Sequence, residues 1–171
     1  DIFHNVGFQN PNAKARDNSV LLDWRTAYKE YKTSKIFRMT DKILREQQKE
    51  KLPESTAWAY YFPFDLAHGV KAEQKDDPFI GILRQSFYRP RDIIQYITLM
   101  QEYTEQHEPE KSTFSSNSFF RVQQAFSDYL LGEVRDELMF YYSSVDFDEL
   151  TGFFTFFEGK SRFDWPFFTD K

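Results

Sequence analysis

The sequence predicts a mainly α-helical fold, and three observations carry that prediction. Apolar residues return at spacings of three and four along most of the chain, as one face of a 3.6-residue helix requires. No stretch alternates apolar and polar residues long enough to read as a half-buried strand. Prolines at 53, 63 and 90 bracket the periodic runs instead of interrupting them.

Taken in order, residues 1–19 are irregular: GFQNPNAKARDNS is dense in turn formers. From Val20 to about Gln48, Leu21, Trp24, Tyr28 and Tyr31, then Ile36, Met39, Ile43 and Leu44, predict one or two helices with a break at Lys32-Thr33-Ser34. KLPESTAWAYYFPF predicts a short helix begun by Glu54 or Ser55, with Trp58, Tyr61 and Phe62 on its apolar face. DLAHGVKAEQKDD reads as a polar connector. PFIGILRQSFY predicts a further short helix ended by the Arg89-Pro90 step, because the residue before a proline is pushed out of the helical region.

RPRDIIQYITLMQEYTEQ restarts the helix, with Pro90 in the first turn, Asp92 complementing the positive end, and Ile93, Ile97 and Met100 as the buried stripe. HEPEKSTFSSN is a polar loop. The longest predicted helix is SFFRVQQAFSDYLLGEVRDELMFYY. Its Phe119, Val122, Phe126, Tyr129, Leu130, Val134, Leu138 and Tyr141 lie on one side, and close packing is expected at Gly132. SVDFDELTGFFTFF predicts a last helix with Asp146 as N-cap, Gly159 as its stop, and phenylalanines buried against the long helix. The expected divisions are 1–19, 20–106 and 107–171.

Composition narrows the function. With 171 residues, 40% hydrophobic and 29% charged, the chain suits one compact domain or two small ones. Its 20 Phe, 10 Tyr and 3 Trp are enough aromatic surface that part of it is expected to face a partner or a missing domain. A net charge of −5 argues against a surface that is wholly a nucleic-acid footprint, while leaving room for a local basic patch. The absence of cysteine excludes disulfides, thiolate zinc sites and thiol catalysis. No run approaches the roughly 20 apolar residues that span a bilayer, and DIFHNVGFQN has no signal-peptide layout, so the expectation is a cytoplasmic protein without a membrane contact. A start on Asp-Ile-Phe without Met reads as a piece of something longer.

Candidate chemistry is sparse. Gly159-Lys160-Ser161 echoes the end of a phosphate-binding loop, but the first glycine of G-x-x-x-x-G-K-[ST] would fall at Phe154 and the nearest glycine is Gly152. It reads as a helix end. His4, His68 and His107 lack metal-ligand spacing, and no G-x-S-x-G exposes a serine, so neither metal nor catalytic residues are expected. FYRPRDII is different. Arg89 and Arg91 flank a helix-opening proline where guanidinium groups and the positive helix end combine into an anion clamp. The other reading is that both arginines pair with Asp92 or neighbouring acids at a helix start.

On these residues the chain resembles the region that follows the catalytic core in bacterial P-loop ATPases akin to the KAP, STAND and AAA+ groups. DIF…ARDNSVLLDW is similar to the junction leaving the last core strand, and SKIFRMTDKIL to the helix after it. FYRPRDIIQYITLM looks like the lid helix whose Pro-Arg motif senses the outer phosphate, and SDYLLGEVRDEL with DFDELTGFFTFF resembles the start of a winged-helix-like unit. The resemblance implies an irregular junction from a missing P-loop core over 1–19, a helical bundle or lid over 20–106, and an incomplete winged-helix-like helical unit over 107–171. It assigns nucleotide phosphate to Arg91, with Arg89 beside it, and ATP and Mg to the parent protein, with none held by this chain. The Walker A loop and the strand ending in Asp are missing, so the chain is not catalytic alone. Partners would be the P-loop core and another protein or a second copy. Two further readings stand beside it: a stand-alone α-helical interaction module, and DNA binding through the winged-helix-like part, for which GKSR supplies little basic surface.

Overall fold

The computed structural model describes residues 24, 26–47, 52–68 and 74–157, with the backbone alone at 67, 68 and 74–76. The 1–19 junction and the GKS stretch with Gly159 lie outside the described residues. The fold is mainly helical. A 3-10 turn, Tyr28–Thr33, leads into α1 (Lys35–Glu46), followed by α2 (Ala57–Tyr61), β1 (Leu66–His68), β2 (Gln74–Asp76), α3 (Pro78–Gln85) and α4 (Pro90–His107). After these come α5 (Ser116–Arg121), α6 (Gln123–Leu138), α7 (Ser144–Phe154) and a 3-10 turn, Thr155–Phe157. The chain divides into two compact units, residues 1–119 and 120–171.

In the first unit the expected break at Lys32-Thr33-Ser34 forms because Ser34 caps α1, its hydroxyl accepting from Phe37 N at 3.2 Å. Ile36, Phe37, Thr40 and Leu44 then face inward. α2 begins at Ala57, later than Glu54 or Ser55, because a distant side chain sets its start. The buried Asp41 of α1 accepts from Ser55 N at 2.9 Å and Ala57 N at 3.1 Å, and Ser55 takes up a positive φ of 62°. The stretch expected to be a plain connector instead pairs with itself: β1 and β2 run antiparallel with Leu66 opposite Asp76. Three residues a side is too short for alternation to show in sequence.

Aromatic rings fill the centre of this unit. Phe37 and Phe79 meet edge to face at 5.0 Å, Trp58 stands edge-on to Phe79 at 4.9 Å, and Trp58 stacks on Phe62 at 4.6 Å. Trp58 Nε1 donates to Thr40 Oγ1 at 3.3 Å, and Tyr96 O–H donates to Phe119 O at 2.8 Å, so the polar tips of these buried rings are satisfied. Gly81 lets α3 sit close to its neighbours. A Cβ there would run into Leu66 and stand 2.9 Å from Phe119 Cζ. α4 buries Ile93, Ile97 and Met100 as the periodicity predicts. At its far end the buried Glu108 accepts from Lys111 Nζ at 2.8 Å and Asn117 Nδ2 at 3.0 Å, folding the polar loop back on the helix.

The second unit departs further from expectation. The single long helix is two, because the backbone breaks at Val122 between α5 and α6. Val122 and Phe126 are buried, whereas Tyr141 lies past the helix end and is 76% exposed. Gly132 has no described residue within 4 Å of where a Cβ would be, so the expected close packing there is absent among the described residues. α7 is capped by Ser143, not Asp146. Ser143 Oγ accepts from Asp146 N at 3.3 Å and Asp146 Oδ2 accepts from Ser143 N at 2.8 Å, a reciprocal capping box that places Asp146 at the third helical position. Phe147 is buried with the Arg135 guanidinium over its ring at 5.6 Å, but Phe153, Phe154 and Phe156 are exposed, contrary to the expected burial. They pack mainly on one another, Phe153 with Phe157 at 5.3 Å.

Candidate functional site

The segment SFYRPRD forms a tight connection between α3 and α4. α3 ends at Gln85, earlier than the Arg89-Pro90 step, because Ser86 ends the helix itself: its hydroxyl donates to Leu83 O at 3.0 Å and accepts from Tyr88 N at 3.2 Å. Tyr88 then adopts φ 59°, a left-handed conformation unusual for an aromatic residue. The chain re-enters a helix at Pro90 with Arg89 as the N-cap residue.

Asp92 holds this turn together. It sits at the third position of α4, fully buried, and reaches back to accept from Phe87 N at 2.9 Å. Arg89 closes on the same carboxylate: Nη2 donates to Oδ1 at 2.7 Å and Nε to Oδ1 at 3.0 Å. The planar guanidinium also lies over the Phe87 ring at 5.0 Å. A carboxylate with these donors at a helix N-terminus is favoured three ways, by the ion pair, the backbone N–H and the helix dipole. Arg89 is thus bound into the architecture of the turn. Arg91, at the second helical position, is exposed. The two sequence-predicted residues therefore take different places: one grips the buried acid, the other stands on the outer face of the same turn.

Three residues that the sequence does not place together, Tyr28, Arg84 and Tyr88, join this neighbourhood. Tyr88 O–H donates to Tyr28 Oη at 2.8 Å, and Arg84 stands over the Tyr28 ring at 5.1 Å. The hydrogen bond to Tyr28, aided by burial, pushes the Tyr88 hydroxyl up to about 12. Tyr28 and Tyr88 are 60 positions apart, and no local pattern announces their contact. Elsewhere Lys35, Arg38, Lys42 and Arg45 share one side of α1, where they line a shallow cleft with Asp41 and Glu54. This is the local basic patch that the net charge leaves room for, tempered by its two acids. Among the described residues no group of His, Asp and Glu side chains is placed to hold a metal ion, and no helix is long and apolar enough to cross a membrane.

No curated protein and no solved structure matches the chain. A family of helical domains does, and its match begins at the Ser34 cap, takes in the core of the first unit and the SFYRPRD turn, and ends in α6. Covering residues 34–135, more than half of the chain, it shows that this protein belongs to the FunZ-associated C-terminal helical domain family.

Proposed function

We propose that this helical domain is a regulatory, non-catalytic C-terminal part of a P-loop ATPase, in which Arg91 meets nucleotide phosphate and Arg89 positions it. The observation that carries the reading is the division of labour at the α4 start. Arg89 is fastened to the buried Asp92, which fixes the turn, and Arg91 is presented exposed from the first turn of an 18-residue helix. A guanidinium at that place adds to the positive helix end, the combination that favours a phosphate. The family's C-terminal character agrees with an appendage to a larger protein. ATP and Mg would be held by the P-loop core, and movement of the helical domain would follow the state of the nucleotide.

The test is nucleotide binding and turnover by the longer protein that carries the core. Arg91→Ala is expected to weaken ATP binding or turnover at least tenfold while the chain still melts cooperatively. Arg89→Ala is expected to lower the melting temperature, because it strands a buried carboxylate. Wild-type affinity and turnover in Arg91→Ala would remove the assignment.

A second reading, a protein-interaction module, is favoured by a different observation. Phe140, Tyr141, Phe154 and Phe156 are each more than half exposed in the second unit, a concentration of aromatic surface that soluble monomers seldom leave bare. The winged-helix variant of the DNA-binding reading has less support, since the described residues of that unit form helices and turns and supply no wing strand.

A further inference from the structure

Thr40 and Thr104 are both buried helical threonines, and they differ in one respect. The Thr40 hydroxyl turns back on its own helix, donating to Ile36 O and Phe37 O at 3.0 Å each, and accepts from Trp58. The Thr104 hydroxyl, on a residue 7% exposed, has no hydrogen-bond partner among the described residues. A buried hydroxyl left unpaired costs about 1–3 kcal/mol. It therefore marks a place where a polar atom from elsewhere would be held.

That place is a cavity of about 300 Å³ between the C-terminal end of α1, one side of α4 and the loop 111–114. The α4 residues lining it, Ile94, Ile97, Thr98, Gln101, Thr104 and Glu105, recur at helical spacing and so form a continuous wall. Leu44, Tyr61 and Phe114 complete an apolar and partly aromatic interior. Its walls are fixed in advance. Phe114 N donates to Tyr61 O at 2.9 Å, and the Glu108 contacts with Lys111 and Asn117 pin the loop from its other end. The charges at the rim are already answered, Lys111 by Glu108 and Glu105 by the Gln101 amide at 2.8 Å. An ionic ligand would have to displace those partners, whereas a neutral one would not.

We propose that this cavity binds a neutral, flat heterocycle with hydrogen-bonding groups at its edge, of nucleobase to nucleoside size, with Thr104 Oγ1 taking its inner polar atom. The volume lies at the small end of ligand pockets, and apolar walls with few convergent polar groups are the usual composition of such sites. Tyr61 and Phe114 bring aromatic rings to the lining, which suits a planar body, and the Gln47 amide and the remaining N–H and carbonyl oxygen of the Gln101 amide supply donors and acceptors. Arg91 is not among the residues that line it, and its test does not depend on the nucleotide reading.

The experiment is saturation-transfer NMR on the full 171-residue chain with adenine, adenosine, uracil and uridine as probes, and toluene as an apolar comparison. At least one of the heterocycles is expected to bind, with chemical-shift changes along the 94–105 face. Thr104→Val, which keeps the shape and removes the hydroxyl, should weaken that binding at least tenfold while leaving the melting temperature unchanged or raised. Ile97→Trp, which fills the cavity, should abolish it; if Ile97→Trp unfolds the chain, Gln101→Ala replaces it, with a loss of at least threefold expected. The proposal is overturned if no heterocycle binds, if toluene binds as well as the heterocycles, or if Thr104→Val binds like wild type; in the last case the hydroxyl is answered by water alone.

Discussion

Glu108 closes α4 through hydrogen bonds from Lys111, Asn117 and Ser115, and these hold its carboxyl at about 2, below the ordinary value of 4.5. A depressed carboxyl favours the folded state wherever it is ionised in the fold. Its contribution is fully present above about 4.5 and lost as pH falls through the range down to about 2. Glu108→Gln is therefore expected to melt below wild type at pH 6 to 7, with the gap narrowing as pH drops below 4.5 and closing near pH 2. Melting curves across that range check it, and a gap that stays constant down to pH 2 would contradict the assignment. The sequence HEPEK identifies a polar loop and contains Lys111, the strongest of these donors, but it does not single out Glu108 over Glu110, because the second donor, Asn117, is nine residues away. Arg89 and Asp92 lay within reach of a sequence reading, being three apart at a helix start. That Asp92 is fully buried, and so commits Arg89 to the turn, depends on tertiary packing.

Two glycines inside helices separate what an element requires from what its surroundings require. In a helix interior Ala is favoured over Gly by up to about 1 kcal/mol. At Gly132 no described residue stands in the way, so Gly132→Ala should raise unfolding free energy by up to about 1 kcal/mol. At Gly81 the added methyl would run into Leu66 and Phe119, and overpacking of about 1–3 kcal/mol outweighs the helical gain. Gly81→Ala is thus expected to destabilise by roughly 1–2 kcal/mol net. Urea unfolding of the two variants tests the opposite signs, and a stabilised Gly81→Ala would contradict the packing. Both glycines look alike in sequence, and the sequence reading placed close packing at the wrong one. The same limit explains which element boundaries were legible. The start of α4 and the break before α1 are set by residues at the boundary itself, Pro90 and Ser34, and both were readable. The start of α2 is set by Asp41 from another helix, and the β1–β2 ladder by pairing across a connector, neither of which periodicity reports. The end of α3 was misplaced because two local stop signals compete, and Ser86 acts before the residue preceding Pro90 can.

At the scale of the whole molecule, the two units use their aromatic residues differently. In the first, Phe37, Trp58, Phe62, Phe79, Tyr96 and Phe119 are all nearly sealed from solvent and form the aromatic part of its core. In the second, burial among the described residues falls on Val122, Phe126 and Phe147, whereas Phe140 is 85% exposed and Phe154 and Phe156 are each 57% exposed. Each fully buried ring of this size contributes roughly 2–3 kcal/mol relative to exposure, so three rings left in water represent several kcal/mol open to association. Most binding energy at interfaces comes from a few such anchors. Within the interaction reading, we therefore expect the chain to self-associate as concentration rises, and Phe140→Ser/Phe154→Ser/Phe156→Ser to remain monomeric at the same concentrations. Because these side chains hold little of the core, the triple variant should melt within a few degrees of wild type. Sedimentation velocity over a hundredfold concentration range distinguishes the cases. A wild-type chain that stays monomeric throughout would show that these rings do not seal against a second copy. A triple variant that loses its cooperative melt would show instead that the three rings hold the fold.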